Sequence, residues 1–382
     1  MRGSAVGVIG SATVTSPRAV WIGTYPAAGA GTPAGRGEGI WRVDVGRSLG
    51  DGGAVDSATT AQPVLATTTP APSFLATHPG GRVLYAVGEQ AAGTVTSFAA
   101  GPDGQLGALA VVSSGGADPC HLLLAPDART LYVTNYSSGS VGVLPLDADG
   151  AFARATIAVG GPVQVLTHTG TGPDPDRQEG PHAHSAAFAP GGAHLLVADL
   201  GTDELRRYRI EPDGLLTPDG ISATLPPGTG PRHLVAVPGG LLYVVGELDV
   251  TVRVLRWDGA TATATLVQTL PATTARPVSS PVNLPAHLVL DGDRLLVSVR
   301  GADVISTFAV DPPTGLLTLA GEVASGGAWP RHFAVIDSVI DGVIDGACVV
   351  AHQHSGTVDV RVTRYAIPAP ACIVPVAKGI GY

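Results

Sequence analysis

Charge is scarce in this sequence. Asp, Glu, Lys and Arg together make up 14% of 382 residues, the formal net charge is −9, and no run of Lys or Arg occurs. A nucleic-acid surface needs clustered basic residues to neutralise phosphates, and an anionic membrane surface needs the same. Neither partner is expected. Cysteine is scarcer still: Cys120, Cys348 and Cys372 are an odd number at scattered positions without a C-x-x-C pair. They read as reduced thiols of a cytoplasmic protein, not as a disulfide framework. Long apolar runs are also missing. No window approaches the roughly 20 residues of a membrane-spanning helix, and Met1 to Ser16 is too polar for the apolar stretch of a signal peptide. Residues 1–17 are expected to be a flexible N-terminal segment.

What the chain has in abundance is Gly (52) and Pro (32). With so many turn formers, short strands are favoured over helices. Ala19 to Tyr25 and Gly39 to Val45 read as strands, separated by a Gly/Pro-rich loop from Pro26 to Gly37, and Pro63 to Thr67 supplies a third. Then a module begins that repeats. Each copy opens with a proline and a short strand carrying a polar residue, followed by a turn and a second strand that is mainly apolar. The openings are Pro72-Ser73-Phe74, Pro119-Cys120-His121, Pro181-His182-Ala183-His184-Ser185, Pro231-Arg232-His233, Pro285-Ala286-His287 and Pro330-Arg331-His332.

The spacing of these openings, roughly 45 to 60 residues, is that of four-stranded propeller blades. Six copies are visible, and the N-terminal segment supplies three strands of another. The missing inner strand is assigned to Ala371 to Val376, which follows Pro370. The expected fold is an all-β, seven-bladed propeller, one domain over residues 1–382, closed by a C-terminal strand that completes the N-terminal blade. Closure of this kind leaves no open sheet edge. Two irregularities stand out: an expanded loop from Thr167 to Gly180 and an insertion from Asp337 to Asp345. A long polar loop directly before a pair of histidines suits a binding rim as well as a tolerated surface excursion.

In a propeller the first strands of the blades line the central channel. Polar residues at their starts therefore converge: His182 and His184, Arg232 and His233, His287, Arg331 and His332. The ends of the second strands add Glu89, Asp199, Glu247 and Arg300. If His182 and His184 lie on one strand, they share a face. The pocket is basic although the whole chain is acidic. Its expected ligand is a small anion, because guanidinium groups bind carboxylate or phosphate through paired hydrogen bonds. Other readings compete for single residues. Glu247 suits a buried structural pair with Arg232; His121, His287 and His332 suit hydrogen bonds to nearby backbone; Asp199 suits a turn or a tie between blades. His182, His184 and Glu247 form a conceivable zinc set, but the neighbouring arginines would repel a cation, so no metal and no cofactor is expected.

Several motifs occur in a consistent order: R-Q-x-x-P-H-x-H-S at Arg177 to Ser185, D-L-G at Asp199 to Gly201, G-P-R-H at Gly230 to His233, G-E-L at Gly246 to Leu248, V-R-G at Val299 to Gly301 and P-R-H-F at Pro330 to Phe333. Together they resemble the lactonase family of seven-bladed propellers, which includes bacterial 6-phosphogluconolactonases and fungal 3-carboxy-cis,cis-muconate lactonizing enzymes. The resemblance implies an active site made of His182, His184, Arg232, Glu247, Arg300 and Arg331. The sequence departs from that pattern at Ala302, where the family has His, at His352-Gln353-His354, where N-Q is usual, and at Gly246, where Asn is usual.

The reaction implied is hydrolysis of a sugar-type lactone in the channel mouth. Glu247 or His184 would take the proton of the attacking water and Arg232 would stabilise the oxyanion. Arg300 and Arg331, with Arg177, His233 and His287, would hold the substrate's phosphate or carboxylate. Cycloisomerisation of a muconate-type acid, or another cyclic substrate of specialised metabolism, fits the same residues. A propeller that binds a ligand or a protein without catalysis is the alternative of another class.

Overall fold

The computed structural model describes residues 19–25, 39–45, 62–237, 239–336, 348–360 and 363–376. The expected flexible segment 1–17, the loop at 26–37 and the insertion at 337–345 lie outside the described residues. Seven sheets of four antiparallel strands form the ring. Blade one holds β1 (Ala19–Thr24), β2 (Ile40–Asp44) and β3 (Val64–Thr67). Blade two holds β4 (Leu75–Thr77), β5 (Val83–Gly88), β6 (Thr94–Ala100) and β7 (Leu106–Ser113). Blade three holds β8 (Pro119–Leu124), β9 (Thr130–Asn135), β10 (Ser140–Pro145) and β11 (Gln164–Thr167). Blade four holds β12 (Ala183–Phe188), β13 (His194–Asp199), β14 (Glu204–Ile210) and β15 (Leu216–Thr224). Blade five holds β16 (Pro231–Val237), β17 (Leu241–Gly246), β18 (Thr251–Asp258) and β19 (Thr263–Pro271). Blade six holds β20 (Leu284–Asp291), β21 (Arg294–Arg300), β22 (Val304–Val310) and β23 (Leu317–Ala324). Blade seven holds β24 (Pro330–Val335), β25 (Cys348–His352), β26 (Thr357–Val360) and β27 (Thr363–Ala366), and β28 (Pro370–Pro375) returns to blade one.

Closure follows the expected route. The C-terminal β28 pairs antiparallel with β1, Trp21 opposite Val374 and Ile22 opposite Ile373. The first and last described strands are thus stitched into one sheet, and unravelling either end means breaking that ladder. The sequence pattern gives no sign of the one helix among the described residues, α1 (Arg154–Val159). It occupies the link from β10 to β11 and stops at Gly160, which takes a left-handed conformation (φ 68°). No helix of the described residues is long and apolar enough to cross a membrane.

The second strand of every blade is mainly apolar on both faces because both faces are covered. In β13, Leu195, Leu196, Val197 and Ala198 are completely buried. Each blade interface has its own apolar cluster, such as Tyr132, Val141 and Val143 against Leu195 and Val197 between blades three and four. Burial of such a side chain stabilises by about 1.5–3 kcal/mol, so the layers between blades, not one central core, hold the ring. A recurring tie adds direction to this packing. The hydroxyls of Tyr85, Tyr132 and Tyr243, all in second strands, donate to the carbonyls of Gly150, Gly214 and Gly315 in the next blade. Those glycines sit in tight turns at φ 88°, 82° and 68°, a region that favours glycine.

Candidate active site

In five blades the inner strand slips register just after it starts: between Pro119 and His121, Ala183 and Ser185, Pro231 and Leu234, Pro285 and Leu288, and Pro330 and His332. A bulge of this kind breaks the alternation of side chains and re-aims them. That is how two consecutive residues, Arg232 with His233 and Arg331 with His332, both reach the interior. It also separates the histidine pair. His182 precedes β12 and His184 occupies the bulge, so the two do not lie on one strand face. They meet at Tyr136, His182 stacked flat on its ring at 4.2 Å and His184 edge-on at 5.7 Å.

A common backbone bond sets the height of each residue in the channel. In six blades the residue just past the second strand donates its N–H to the residue just before the inner strand: Tyr25 to Ala369, Glu89 to Ala71, Tyr136 to Asp118, Leu200 to His182, Glu247 to Gly230 and Gln353 to Trp329, at 2.8–3.0 Å. Arg300 takes the corresponding place in blade six, its Nε on the carbonyl of Leu284. These seven residues form a rim. Two residues after each carbonyl lies a middle tier that includes Ser73, Cys120, His184, Arg232 and Arg331. One residue further lies a floor. There the rings of Phe74, His121, His233, His287 and His332 make a closed circuit, with consecutive centroids 4.4, 5.6, 5.1, 3.8 and 5.9 Å apart. A recess lies over this floor, lined by Ser73, Phe74, Cys120, Arg232, His233, Arg331, His332 and Ala371.

Glu247 anchors one side. Its Oε1 meets Arg177 Nη2 at 2.6 Å, and its Oε2 meets Arg300 Nη2 at 2.6 Å and Arg232 Nε at 2.9 Å. Arg177 comes from the expanded loop before blade four. Gln178 pins that loop by donating to the carbonyl of Leu200 and to Asp203 Oδ1, both at 2.8 Å. The long loop is therefore part of the rim. Arg232 also donates to the carbonyl of Ala286, and the face of Trp329 covers Arg300 at 5.3 Å.

The remaining expected residues divide. His184 joins this side, with a buried Nδ1 that has no hydrogen-bond partner. His182 is spent on the carbonyl of Tyr136 (3.1 Å) and on Glu179 (3.3 Å). Arg331 lies on the other side, 4.4 Å over the ring of Tyr25 and 3.5 Å from Gln353 Oε1. His233 and His287 belong to the floor, where their Nδ1 atoms share one hydrogen bond of 2.8 Å. The expectation of backbone bonds for the floor histidines holds for His332, whose Nδ1 receives the N–H of Ile373 at 3.4 Å. It fails for His287, which uses its Nδ1 on His233, and for His121, whose Nδ1 is unpartnered. Asp199 turns away from the channel, as a tie: it accepts the N–H groups of His182 (2.8 Å) and Gly201 (3.1 Å) and pairs with His168 Nδ1 (2.5 Å), whose Nε2 meets Tyr208 (2.6 Å). The divergent His352 and His354 are absorbed structurally, the first on the carbonyl of Ser325 at 2.8 Å and the second stacked on Trp329 at 4.4 Å. Sequence reasoning missed Tyr25, Ser73, Tyr136 and Trp329. The first and third stand at the rim position of their repeats, so aligning the ends of the second strands would have found them.

A family model described as lactonase, 7-bladed beta-propeller, matches residues 19–364. The chain belongs to this family. A 6-phosphogluconolactonase of Bacillus subtilis is 29% identical over 363 residues, which cover 92% of this chain and 97% of that protein. A 6-phosphogluconolactonase of Pectobacterium atrosepticum is 32% identical over 65% of this chain and 69% of its own length. Among solved structures, the periplasmic gluconolactonase of Pseudomonas aeruginosa superposes with a TM-score of 0.74 at 28% identity, over 93% of this chain and 98% of that one.

Within this lactonase-family channel, charge is arranged unevenly. Burial alone would raise the Glu247 carboxyl, but Arg300, Arg232 and Arg177 together hold it well below the usual carboxylate range. Burial, Arg300 and Arg331 push the Arg232 guanidinium down to about 9, which leaves it a cation at neutral pH. Three guanidiniums around one carboxylate leave a surplus of two positive charges on this side. Burial first, and Arg232 second, hold His184 and His233 neutral well below the usual imidazole value. Among the described residues no group of three or more His, Cys, Asp or Glu side chains is placed to hold a metal ion; both oxygens of Glu247 face arginine.

Proposed function

We propose that the protein hydrolyses a sugar-type lactone bearing a phosphate or carboxylate, as a 6-phosphogluconolactonase-like enzyme, and that the reaction takes place in the channel mouth. The observation that carries this reading is the Glu247 side of the channel: a buried carboxylate outnumbered by guanidiniums, beside a neutral imidazole with a buried nitrogen that has no hydrogen-bond partner. The names of the relatives give the reaction class. In this reading His184 takes the proton of the attacking water, because its ring is neutral and its Nδ1 is uncommitted. Glu247 is a poor base, since three cations stabilise its charged form; it fixes the guanidiniums instead. Arg232, the most enclosed of them, faces the carbonyl oxygen as negative charge develops, a role that depends on preorganised donors. Arg300, Arg177 and Arg331 hold the substrate's anionic group. His182 orients the rim through Tyr136, and the floor residues His233 and His287 shape the recess from below.

The unpaired thiols of Cys120, Cys348 and Cys372 support a cytoplasmic location for a single propeller over the whole chain, and cell fractionation tests it against the periplasmic alternative. The scarcity of basic clusters supports a small-molecule partner over nucleic acid or membrane. The decisive experiment is proton release from 6-phosphoglucono-lactone and glucono-1,5-lactone by purified protein, above spontaneous hydrolysis. Wild type is expected to turn over at least one of them, with Glu247→Gln and His184→Ala lower in kcat/KM by about two powers of ten or more. Absence of turnover on both would sink the reading in favour of a binding propeller.

A further inference from the structure

Of the two carboxyls at rim positions, Glu247 and Glu89, the second has no role so far. Glu89 holds the rim position of blade two, three blades from Glu247 in a ring of seven, so it stands on the opposite side of the channel. Its Oε1 accepts the Tyr25 hydroxyl at 2.8 Å, and its Oε2 accepts the Ser73 hydroxyl; with Glu89 protonated the same contact runs the other way. Ser73 is 4% exposed and lines the recess directly, and Glu89, partly exposed at the rim, reaches the recess only through it. A serine hydroxyl donates one proton and accepts another. It can therefore receive a proton from a carboxylic acid on one side as it gives its own on the other.

We propose that Glu89 supplies the proton taken up by the leaving ring oxygen of the lactone, acting through the Ser73 hydroxyl. This inference rests on the lactonase reading. Water oxygen bonds to the carbonyl carbon while His184 takes one of its protons. As the tetrahedral intermediate collapses, the bond from that carbon to the ring oxygen breaks. The ring oxygen takes the Ser73 proton, and Ser73 takes the proton of Glu89, which becomes a carboxylate. Solvent then carries the proton from His184 back to Glu89, and the new carboxylic acid ionises into water. A sugar alkoxide is a poor leaving group, so the proton matters.

Glu247 does not suit this role, because its three guanidiniums keep it without a proton. Glu89 is acted on instead by the Arg331 guanidinium, the hydroxyls of Ser73 and Tyr25, and the like charge of Asp118. Burial raises its carboxyl above the usual range against the pull of Arg331 and of both hydroxyls. Tyr25 and Arg331 are positioning residues here: the tyrosine bonds the carboxyl and its ring carries the guanidinium.

The test compares leaving groups. Ser73→Ala and Glu89→Gln should lower kcat on glucono-1,5-lactone, whose leaving group is an alcohol, by about a hundredfold or more. On dihydrocoumarin, whose leaving group is a phenol that needs little protonation, the loss should stay under about tenfold, and the alkaline-side limb of the wild-type pH profile, where the general acid ionises, should shift in both variants. Equal losses on the two substrates, or no loss on the first, would overturn the proposal, since damage to the fold does not distinguish leaving groups. If wild type turns over neither lactone, the lactonase reading itself has failed. Calorimetry of gluconate binding in two buffers of different ionisation enthalpy then decides whether Glu89 exchanges a proton with the recess: uptake present in wild type and lost in Glu89→Gln upholds that exchange, and equal uptake in both overturns it.

Discussion

Acidification should unfold this protein well before its carboxylates titrate. The perturbation is a fall from pH 7.5 to pH 5, and the groups that respond are the imidazoles enclosed in the channel. Burial, with Arg232, pushes His332 down to about 3, and the same two causes hold His184 and His233 well below the usual value. All three side chains are buried. Unfolded, each would titrate near about 6.5. Because the folded values are the lower ones, the unfolded chain binds protons first as pH falls. Stability is intact above about pH 6.5 and declines from there towards the folded value. For His332 the loss at pH 5 is about 2 kcal/mol, from RT ln(1 + 10^1.5). His184 and His233, held low by the same causes, add losses of the same sign, and total domain stabilities are only about 5–15 kcal/mol.

The carboxylates act later. Arginines hold Glu247 low and His168 holds Asp199 low against burial, so their stabilising contribution is present above about pH 4.5 and is lost only below it. Between pH 6.5 and 5 the histidines therefore act ahead of these carboxylates, opposed only by Glu89, whose raised carboxyl gains its proton in the folded state and so acts with the opposite sign. Urea unfolding followed by tryptophan fluorescence should give a free energy that falls with a slope of several times about 1.4 kcal/mol per pH unit. His332→Phe, which keeps a ring beside Phe74 and His287, should lower that slope by about one proton's worth. A flat profile between pH 7 and pH 5, or an unchanged slope in the variant, would refute the reasoning.

Two further outcomes follow from the ties behind the rim. His168→Ala leaves the completely buried Asp199 without its imidazole and the Tyr208 hydroxyl without an acceptor; it should cost about 2–3 kcal/mol in urea unfolding, moderated by the two backbone N–H groups that Asp199 keeps. Gly201→Ala would put a Cβ 1.9 Å from the carbonyl of Gly180 and 2.8 Å from the nitrogen of His182, so it should destabilise by more than about 1 kcal/mol and raise KM by displacing His182, whereas Gly321→Ala, with open space around it, should change neither in the same assays.

The architecture was legible because one physical constraint repeats. Every blade must bury a second strand between two neighbours, so Val83 to Gly88, Leu195 to Ala198 and Leu241 to Gly246 read as continuous apolar runs, and the prolines before the inner strands mark the period. Helix α1 was not legible, since its six residues replace an ordinary link between strands and leave no periodic signal. The Glu247 side of the site was legible from motifs. Its partition from the Arg331 side was not. Strict alternation puts Arg232 and His233 on opposite faces, and only the bulges show that both enter the channel at different heights. Once those heights are fixed by the bond from each rim residue to the chain before the inner strand, the residues sort themselves by tier, without reference to motif. Asp199 drops out by a single position, because Leu200 holds its blade's place at the rim, and Tyr25, Glu89 and Tyr136 come in. The same register explains why the channel can hold two carboxyls of opposite character: neighbours on the rim and in the tier below surround Glu247 with cations, and three blades away they offer Glu89 hydroxyls and one guanidinium. A binding channel needs only the first arrangement. A channel that breaks an ester and must protonate an alkoxide has use for both.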